Sequence, residues 1–180
     1  MAFNVPQSDK KRVVIVGGGF GGLKLANKLK DSNFQVVLID RNNYPQFPPL
    51  IYQVASAGIE PSSISFPFRK LFHGRKDFYF RMAEVRSVFT DQKILQTSIG
   101  KISYDYLVFA AGTTTNFFGN KNVEEHAIPM KNVSEAMGLR NALLENFERA
   151  ITCSSETERQ ELLNVVIVGG GATGVEVAGA

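Results

Sequence analysis

Apolar positions along the chain fall into blocks of two different periods. Arg12-Val-Val-Ile-Val16 is a β-branched run without polar interruption. That pattern predicts a parallel strand buried on both faces. After Gly17–Gly22, the residues Leu23, Ala26 and Leu29 recur at helical spacing, with Lys24, Lys28 and Lys30 between them, which predicts an amphipathic helix. Gln35–Ile39 is a second buried strand, ending at Asp40. Residues 41–77 show no clear period and hold five of the seven prolines. Such a stretch reads as a functional excursion, with Val54–Gly58 as a short helix stopped by glycine. Phe78–Met82, Val85–Thr90, Lys93–Thr97 and Asp105–Ala110 read as short strands, with turn signals at Asp91-Gln92 and Gly100. Asn132, with Glu135 three residues on, predicts a capped helix start. The stripe of that helix is Ala136, Leu139, Leu143, Phe147 and Ala150. Ser154–Arg159 is polar and reads as a loop. The opening signal then repeats as Asn164–Val168, Gly169–Gly174 and Val175–Ala178.

The repeated signal carries the chemistry. In G-x-G-x-x-G the first glycine makes a tight turn. The second admits a pyrophosphate to the backbone, and the third lets the helix pack against the strand. The helix start then meets the phosphates with its amides and the positive end of its dipole. Gly17, Gly19 and Gly22 hold these positions in the first copy, and Gly169, Gly171 and Gly174 hold them in the second. The first copy also has Asp40 at the end of the next strand, near the expected spacing for an acid that accepts ribose hydroxyls. Two copies imply two dinucleotide sites, and an enzyme with two dinucleotides passes electrons between them. The fold class is therefore α/β: a Rossmann-like dinucleotide-binding fold with a β-rich insertion, truncated at the start of a second dinucleotide-binding domain.

The segments Asn43–Ala55, Tyr104–Thr113, Thr115–Gly119 and Val168–Glu176, together with both fingerprints, resemble type II NADH dehydrogenase. This is the single-subunit NADH:quinone oxidoreductase that pumps no protons, a branch of the two-dinucleotide-domain flavoproteins. The resemblance covers nearly the whole chain from Lys11. It implies a Rossmann-like FAD/NAD(P)-binding fold in which residues 1–115 form the N-terminal part of the FAD-binding domain, with the insertion over about 78–104, and residues 116–180 hold a connecting segment, a helix and the first strand–turn–helix of an incomplete NAD(P)H-binding domain. It also implies an enzyme in which NADH passes a hydride to FAD and the flavin reduces a quinone. By the same resemblance, Gly17, Gly19, Phe20, Gly21 and Gly22 cradle the FAD pyrophosphate, and Asp40 with Arg41 holds the adenosine ribose. Val85 matches the position whose backbone meets adenine. Ala111 and Gly112 lie where the chain returns to the flavin, and Ala111 stands where the family often has Thr. Pro49 and Gln53 belong to the stretch along the isoalloxazine. Gly169, Gly171, Ala172, Thr173 and Gly174 take the NADH pyrophosphate. Glu176 matches a family acid near the nicotinamide and the quinone-facing side of the flavin, the catalytic candidate. As a first-turn glutamate it is equally what a helix dipole favours. Other acceptors stay open, because ferredoxin reductases, nitrite reductases and apoptosis-inducing-factor-like proteins share the two fingerprints. So does a role as a nucleotide-binding fragment without turnover. NADH versus NADPH is set beyond Ala180.

Composition narrows the rest. The chain has 180 residues, 44% apolar and 21% charged, with a net charge of +3, an ordinary globular balance that excludes disorder and coiled coil. One cysteine, Cys153, excludes a disulfide scaffold and a thiol–disulfide relay, since residues 41–60 hold none. Cys153 reads as a small buried apolar residue, and His73 and His126 as surface or structural residues; no metal site is expected. Residues 66–81 interleave phenylalanines and Tyr79 with Arg69, Lys70, Arg75, Lys76 and Arg81. They read as an amphipathic segment under the insertion rather than a nucleic-acid surface. The N-terminal stretch lacks the apolar core of a secretory signal, and no apolar run reaches membrane-span length. The expected location is cytoplasmic. By the resemblance, a segment beyond Ala180 holds the full-length protein peripherally on the inner face of the cell membrane. The strand Val165–Val168 is expected to lack a sheet, which favours homo-oligomeric or domain-swapped association.

Overall fold

The computed structural model describes residues 3–180, so the first two residues of the stretch read as lacking a leader lie outside it. The chain divides into two compact units. The first runs to Gln46 and resumes over Ser65–Thr113; the second comprises Phe47–Ile64 and Thr114–Ala180.

In the first unit, β1 (Lys11–Val16), α1 (Phe20–Lys28) and β2 (Phe34–Asp40) form the predicted strand–turn–helix–strand. A short helix α3 (Phe68–Leu71) leads to β3 (Phe78–Met82). There follow β4 (Val85–Phe89), β5 (Ile94–Thr97), β6 (Gly100–Ser103) and β7 (Tyr106–Phe109). Four strands make a parallel sheet in the order β3-β2-β1-β7, and β4-β5-β6 make an antiparallel one. The expected insertion over about 78–104 is thus narrowed, because β3 pairs in parallel with β2 in the register Leu38↔Phe80. A period-2 pattern does not state which neighbour a strand will take, so pairing was the illegible part. Gly100, expected at a turn, opens β6 instead.

The alternation along β1 and β2 sorts their side chains to two cores. Val14, Val16, Val37 and Ile39 pack with Leu95 and Ile102 of the antiparallel sheet. Val13, Ile15, Val36 and Leu38 pack with Ala26, Phe68, Phe72 and Phe80. The parallel sheet is therefore covered on one face by the small sheet and on the other by α1 and α3. Gln35, the buried polar residue of β2, is satisfied: it accepts from Arg12 Nε at 2.6 Å and donates to Pro6 O at 2.9 Å. Arg75 Nη1 donates to Ala26 O at 3.2 Å, capping a carbonyl of the last turn of α1.

The second unit contains α2 (Ile51–Ala55) after a 3-10 turn at Pro48–Leu50, then α4 (Lys121–His126), α5 (Val133–Thr152), α6 (Glu156–Leu163) and α7 (Ala172–Gly179). The predicted capping box starts α5: Glu135 N donates to Asn132 Oδ1 at 2.9 Å, and Asn132 N donates to Glu135 Oε2 at 3.2 Å. Its stripe is filled only in part, with Ala136 and Ala150 buried but Phe147 exposed. The polar stretch expected as a loop is instead the start of α6, capped by Ser155 Oγ, which accepts from Glu158 N at 3.3 Å. Residues 164–170 form no strand.

Candidate functional site

β1 ends at Val16, and the first glycine loop continues from it with Gly17 N donating to Ile39 O at 2.8 Å. Gly17 has φ +100°, and a Cβ there would stand 2.2 Å from Ala110 O. A Cβ on Gly22 would stand 1.9 Å from Gly17 O, so only a glycine lets α1 turn back over the loop. Gly19 is the N-cap of α1, and a Cβ on it would meet nothing within 4 Å. The loop is thus crowded from beneath at Gly17 and Gly22 and open at Gly19. Phe20 and Gly21 are exposed in the first turn of the helix. An opening over a helix start is the form a pyrophosphate requires.

Asp40 stands beside this loop. Its Oδ2 accepts from Gly18 N at 2.7 Å and its Oδ1 from Asn42 N at 2.8 Å. Each oxygen keeps acceptor capacity, since a carboxylate offers about four lone-pair sites, and that capacity suits two ribose hydroxyls. Arg41 is exposed. The Asn43 side-chain oxygen is buried without a partner. Val85 opens β4 opposite Thr97, next to a register shift, and is half-buried. Ala111 and Gly112 are exposed just past β7, whose end is tied by Ala110 N donating to Val16 O at 2.7 Å; Gly112 has φ +71°. The open glycine face, the acceptor capacity of Asp40 and the orphaned oxygen of Asn43 fit a dinucleotide such as FAD.

The second loop repeats the geometry of the first. Gly169 has φ +115°, a Cβ on Gly174 would stand 2.2 Å from Gly169 O, and Gly171 is the N-cap of α7 with open space around it. Ala172 and Thr173 begin that helix, exposed. α7 lies against α2, and an open recess of ≈ 560 Å³ between them is lined by Tyr52, Gln53, Ser56, Gly58, Val175, Glu176, Gly179 and Ala180. Gln53 and Glu176, singled out separately from the sequence, are thereby brought to one recess. Gln53 Nε2 donates to Tyr52 Oη at 3.0 Å, and Glu176 is exposed. Pro49 sits exposed in the 3-10 turn before α2 and does not line it. Tyr52, from the Asn43–Ala55 stretch, and Ser56, the C-cap three residues past Gln53, join Gln53 and Glu176 there.

The remaining features are accounted for internally. Arg69 lies 5.3 Å from the Phe80 ring centre and Arg75 lies 4.6 Å from that of Phe72. The basic–aromatic stripe therefore stacks on itself. Arg81 is pushed down by burial and by Arg69, and donates to Phe80 O at 2.8 Å. Cys153 is not buried as expected. It caps the end of α5, half-exposed, with Sγ 3.1 Å from Glu158 Oε2. His73 and His126 are exposed. Among the described residues no group of metal-ligating side chains gathers, and no helix is long and apolar enough to cross a membrane.

Comparison with known proteins follows this geometry. The family model described as pyridine nucleotide-disulphide oxidoreductase matches residues 11–180. The chain is 37% identical to the type II NADH:quinone oxidoreductase Ndh of Mycobacterium tuberculosis, over 94% of this chain and 38% of that protein. It is 34% identical to the external alternative NAD(P)H-ubiquinone oxidoreductase B1, mitochondrial, of Solanum tuberosum, over 97% of this chain and 33% of that protein. The solved structure of NDH2 from Plasmodium falciparum in complex with NADH superposes with a TM-score of 0.87 at 29% identity, covering 93% of this chain and 36% of that one. The chain thus spans less than two fifths of the length of these relatives.

Proposed function

The chain belongs to the pyridine nucleotide-disulphide oxidoreductase family, and from that premise we propose that it forms the FAD-binding and NADH-receiving part of an NADH:quinone oxidoreductase. The observation that carries this reading is the second glycine loop, built to the same local geometry as the first. Relatives named as NADH:quinone and NAD(P)H-ubiquinone oxidoreductases support it. Residues 41–60 hold no cysteine, which favours a quinone over a thiol–disulfide relay at the position just after the first strand–helix–strand unit.

The geometry supports a role for each residue. Gly19 lets a pyrophosphate reach the backbone at the start of α1, and Asp40 accepts the ribose hydroxyls while holding Gly18 and Asn42. Gly171 and the start of α7 receive the second dinucleotide. Bound FAD supplies the two-electron acceptor that a nicotinamide can reduce and a quinone can reoxidise. The protein's contribution is then alignment and the exclusion of water rather than acid–base attack. Glu176 and Gln53 line the recess as the polar groups available to orient a reactant there. The full-length protein lies peripherally on the inner face of the membrane through sequence following Ala180, and copies of this chain associate through Val165–Val168.

The test is NADH oxidation by the whole protein with short-chain quinones as acceptors, followed by the loss of NADH absorbance. Quinone-dependent turnover of a yellow, FAD-containing protein supports the reading. Turnover with ferredoxin or nitrite but not with quinone overturns it.

A further inference from the structure

The two glycine loops act as controls for one another. Both have a left-handed first glycine and a third glycine pressed on the carbonyl of the first. These features are therefore intrinsic to the motif. The position after the first glycine is crowded in the first loop: a Cβ on Gly18 would stand 2.1 Å from Phe68 Cζ, with Cε1 and Cε2 at 2.7 and 2.9 Å. Gly18 has no left-handed φ, so its backbone would accept alanine. The fingerprint itself leaves this position unspecified. What excludes a side chain there is the tip of one phenylalanine ring.

That ring has little freedom to withdraw. Phe68 is fully buried, its backbone N donates to Asn43 O at 2.9 Å, and its ring lies 4.9 Å from Phe80 and 6.4 Å from Phe72, centre to centre. Gly18 N also donates to Asp40 Oδ2 at 2.7 Å. The residue before the open Gly19 is therefore held by a carboxylate at its amide and limited by a ring at its Cα.

We propose that Phe68 is a positioning residue for dinucleotide binding: its ring tip sets the height of the Gly17–Gly19 peptides that meet the pyrophosphate, without itself touching the ligand. This rests on the reading that the loop receives FAD. Support of this kind matters because binding groups held to within a fraction of an ångström cost no ordering when the ligand arrives.

The experiment uses the whole protein and four variants: Phe68→Leu, Gly18→Ala, the two combined, and Ile102→Val as a control for core loosening on the other face of the sheet. FAD affinity is read by quenching of flavin fluorescence where every variant is folded, and exchange of the Gly18 amide is read by NMR without flavin. Phe68→Leu is expected to weaken FAD binding about tenfold, as loss of a supporting residue typically does, and to speed Gly18 exchange well beyond Ile102→Val. Gly18→Ala is expected to weaken binding more, and Phe68→Leu in the same chain to restore part of it by making room for the methyl. Equal affinity and equal exchange in Phe68→Leu and Ile102→Val overturn the proposal. So does a double variant no better than Gly18→Ala. If the unaltered whole protein takes no FAD, the dinucleotide reading fails and the positioning role with it, and the exchange data still show separately whether the ring braces the loop.

Discussion

Asp40 illustrates what a single residue discloses in sequence and what it withholds. Its place at the end of a buried strand, after a glycine fingerprint, was enough to mark it for ribose. Its bonds to Gly18 N and Asn42 N were not legible, because they depend on how closely the loop returns to the strand end. Those bonds make Asp40 a structural residue before any ligand arrives. The two bonds share one charged acceptor, a kind of contact worth about 1.5–3 kcal/mol. Asp40→Ala is therefore expected to lower stability by roughly 2–3 kcal/mol in urea unfolding without FAD; a loss under about 0.5 kcal/mol would show the two contacts to be incidental. Cys153 teaches the opposite lesson, since a lone cysteine near a helix end reads as apolar yet meets a carboxylate. The hydrogen bond to Glu158 is the largest cause raising its thiol pKa. A raised pKa means the protonated form is the one favoured in the folded chain, so this contact persists at low pH and is lost as pH rises through the folded value. Thiolate is the reactive form. Iodoacetamide labelling is thus expected to be slower than for a free thiol at pH 8, with its pH profile displaced upward. Glu158→Gln is expected to bring the profile back down; an unchanged profile would remove Glu158 as the cause.

Elements were legible where burial enforces a period. β1, β2 and α1 emerged near their observed ends because each presents a continuous apolar face to a core. α6 did not, because it buries none of its residues and depends on its Ser155 cap and the Glu156–Arg159 ion pair, neither of which leaves a hydrophobic trace. The pairing of β3 with β2 was also hidden, although the strand itself was bounded correctly. The end of α2 shows a finer displacement. Gly58 was read as the stop, yet the left-handed residue is Ala57, with φ +61°. Ala57 N donates to Val54 O at 3.2 Å and Gly58 N to Gln53 O at 2.7 Å, the double bond of a Schellman end. A left-handed alanine costs roughly 1–2 kcal/mol, and the added flexibility of glycine in the unfolded chain takes back part of that. Ala57→Gly is expected to stabilise by about 0.5–1 kcal/mol, read as a rise in the thermal midpoint. A fall would mean that the Ala57 methyl makes a contact that outweighs its backbone strain.

At the scale of the molecule, the two glycine loops separate what a short sequence can fold alone from what needs a sheet. Gly169–Gly174 reproduces the turn and the helix start of the first loop, yet the apolar run before it forms no strand. In the first loop β1 has β2 and β7 on either side. Among the described residues no strand pairs with Val165–Val168, and Val166 and Val168 are 85% and 70% exposed. The expectation of a strand was thus sound about composition, and the structure shows why composition is insufficient: a strand's ladder bonds belong to its partners. Four consecutive apolar residues with unpaired backbone are a template for another chain. Phe147 and Ile151, exposed on α5 of the same unit, add apolar surface in contact with water. Multi-angle light scattering is expected to give a mass above one chain that rises with concentration. Val166→Lys, which places a charge in the run at a position that buries nothing, is expected to shift the population toward monomer without lowering the melting temperature of the first unit. A clean monomer of the unaltered chain at high concentration would mean that the run is screened by its own helices in solution. An association untouched by Val166→Lys would move the contact to the exposed face of α5.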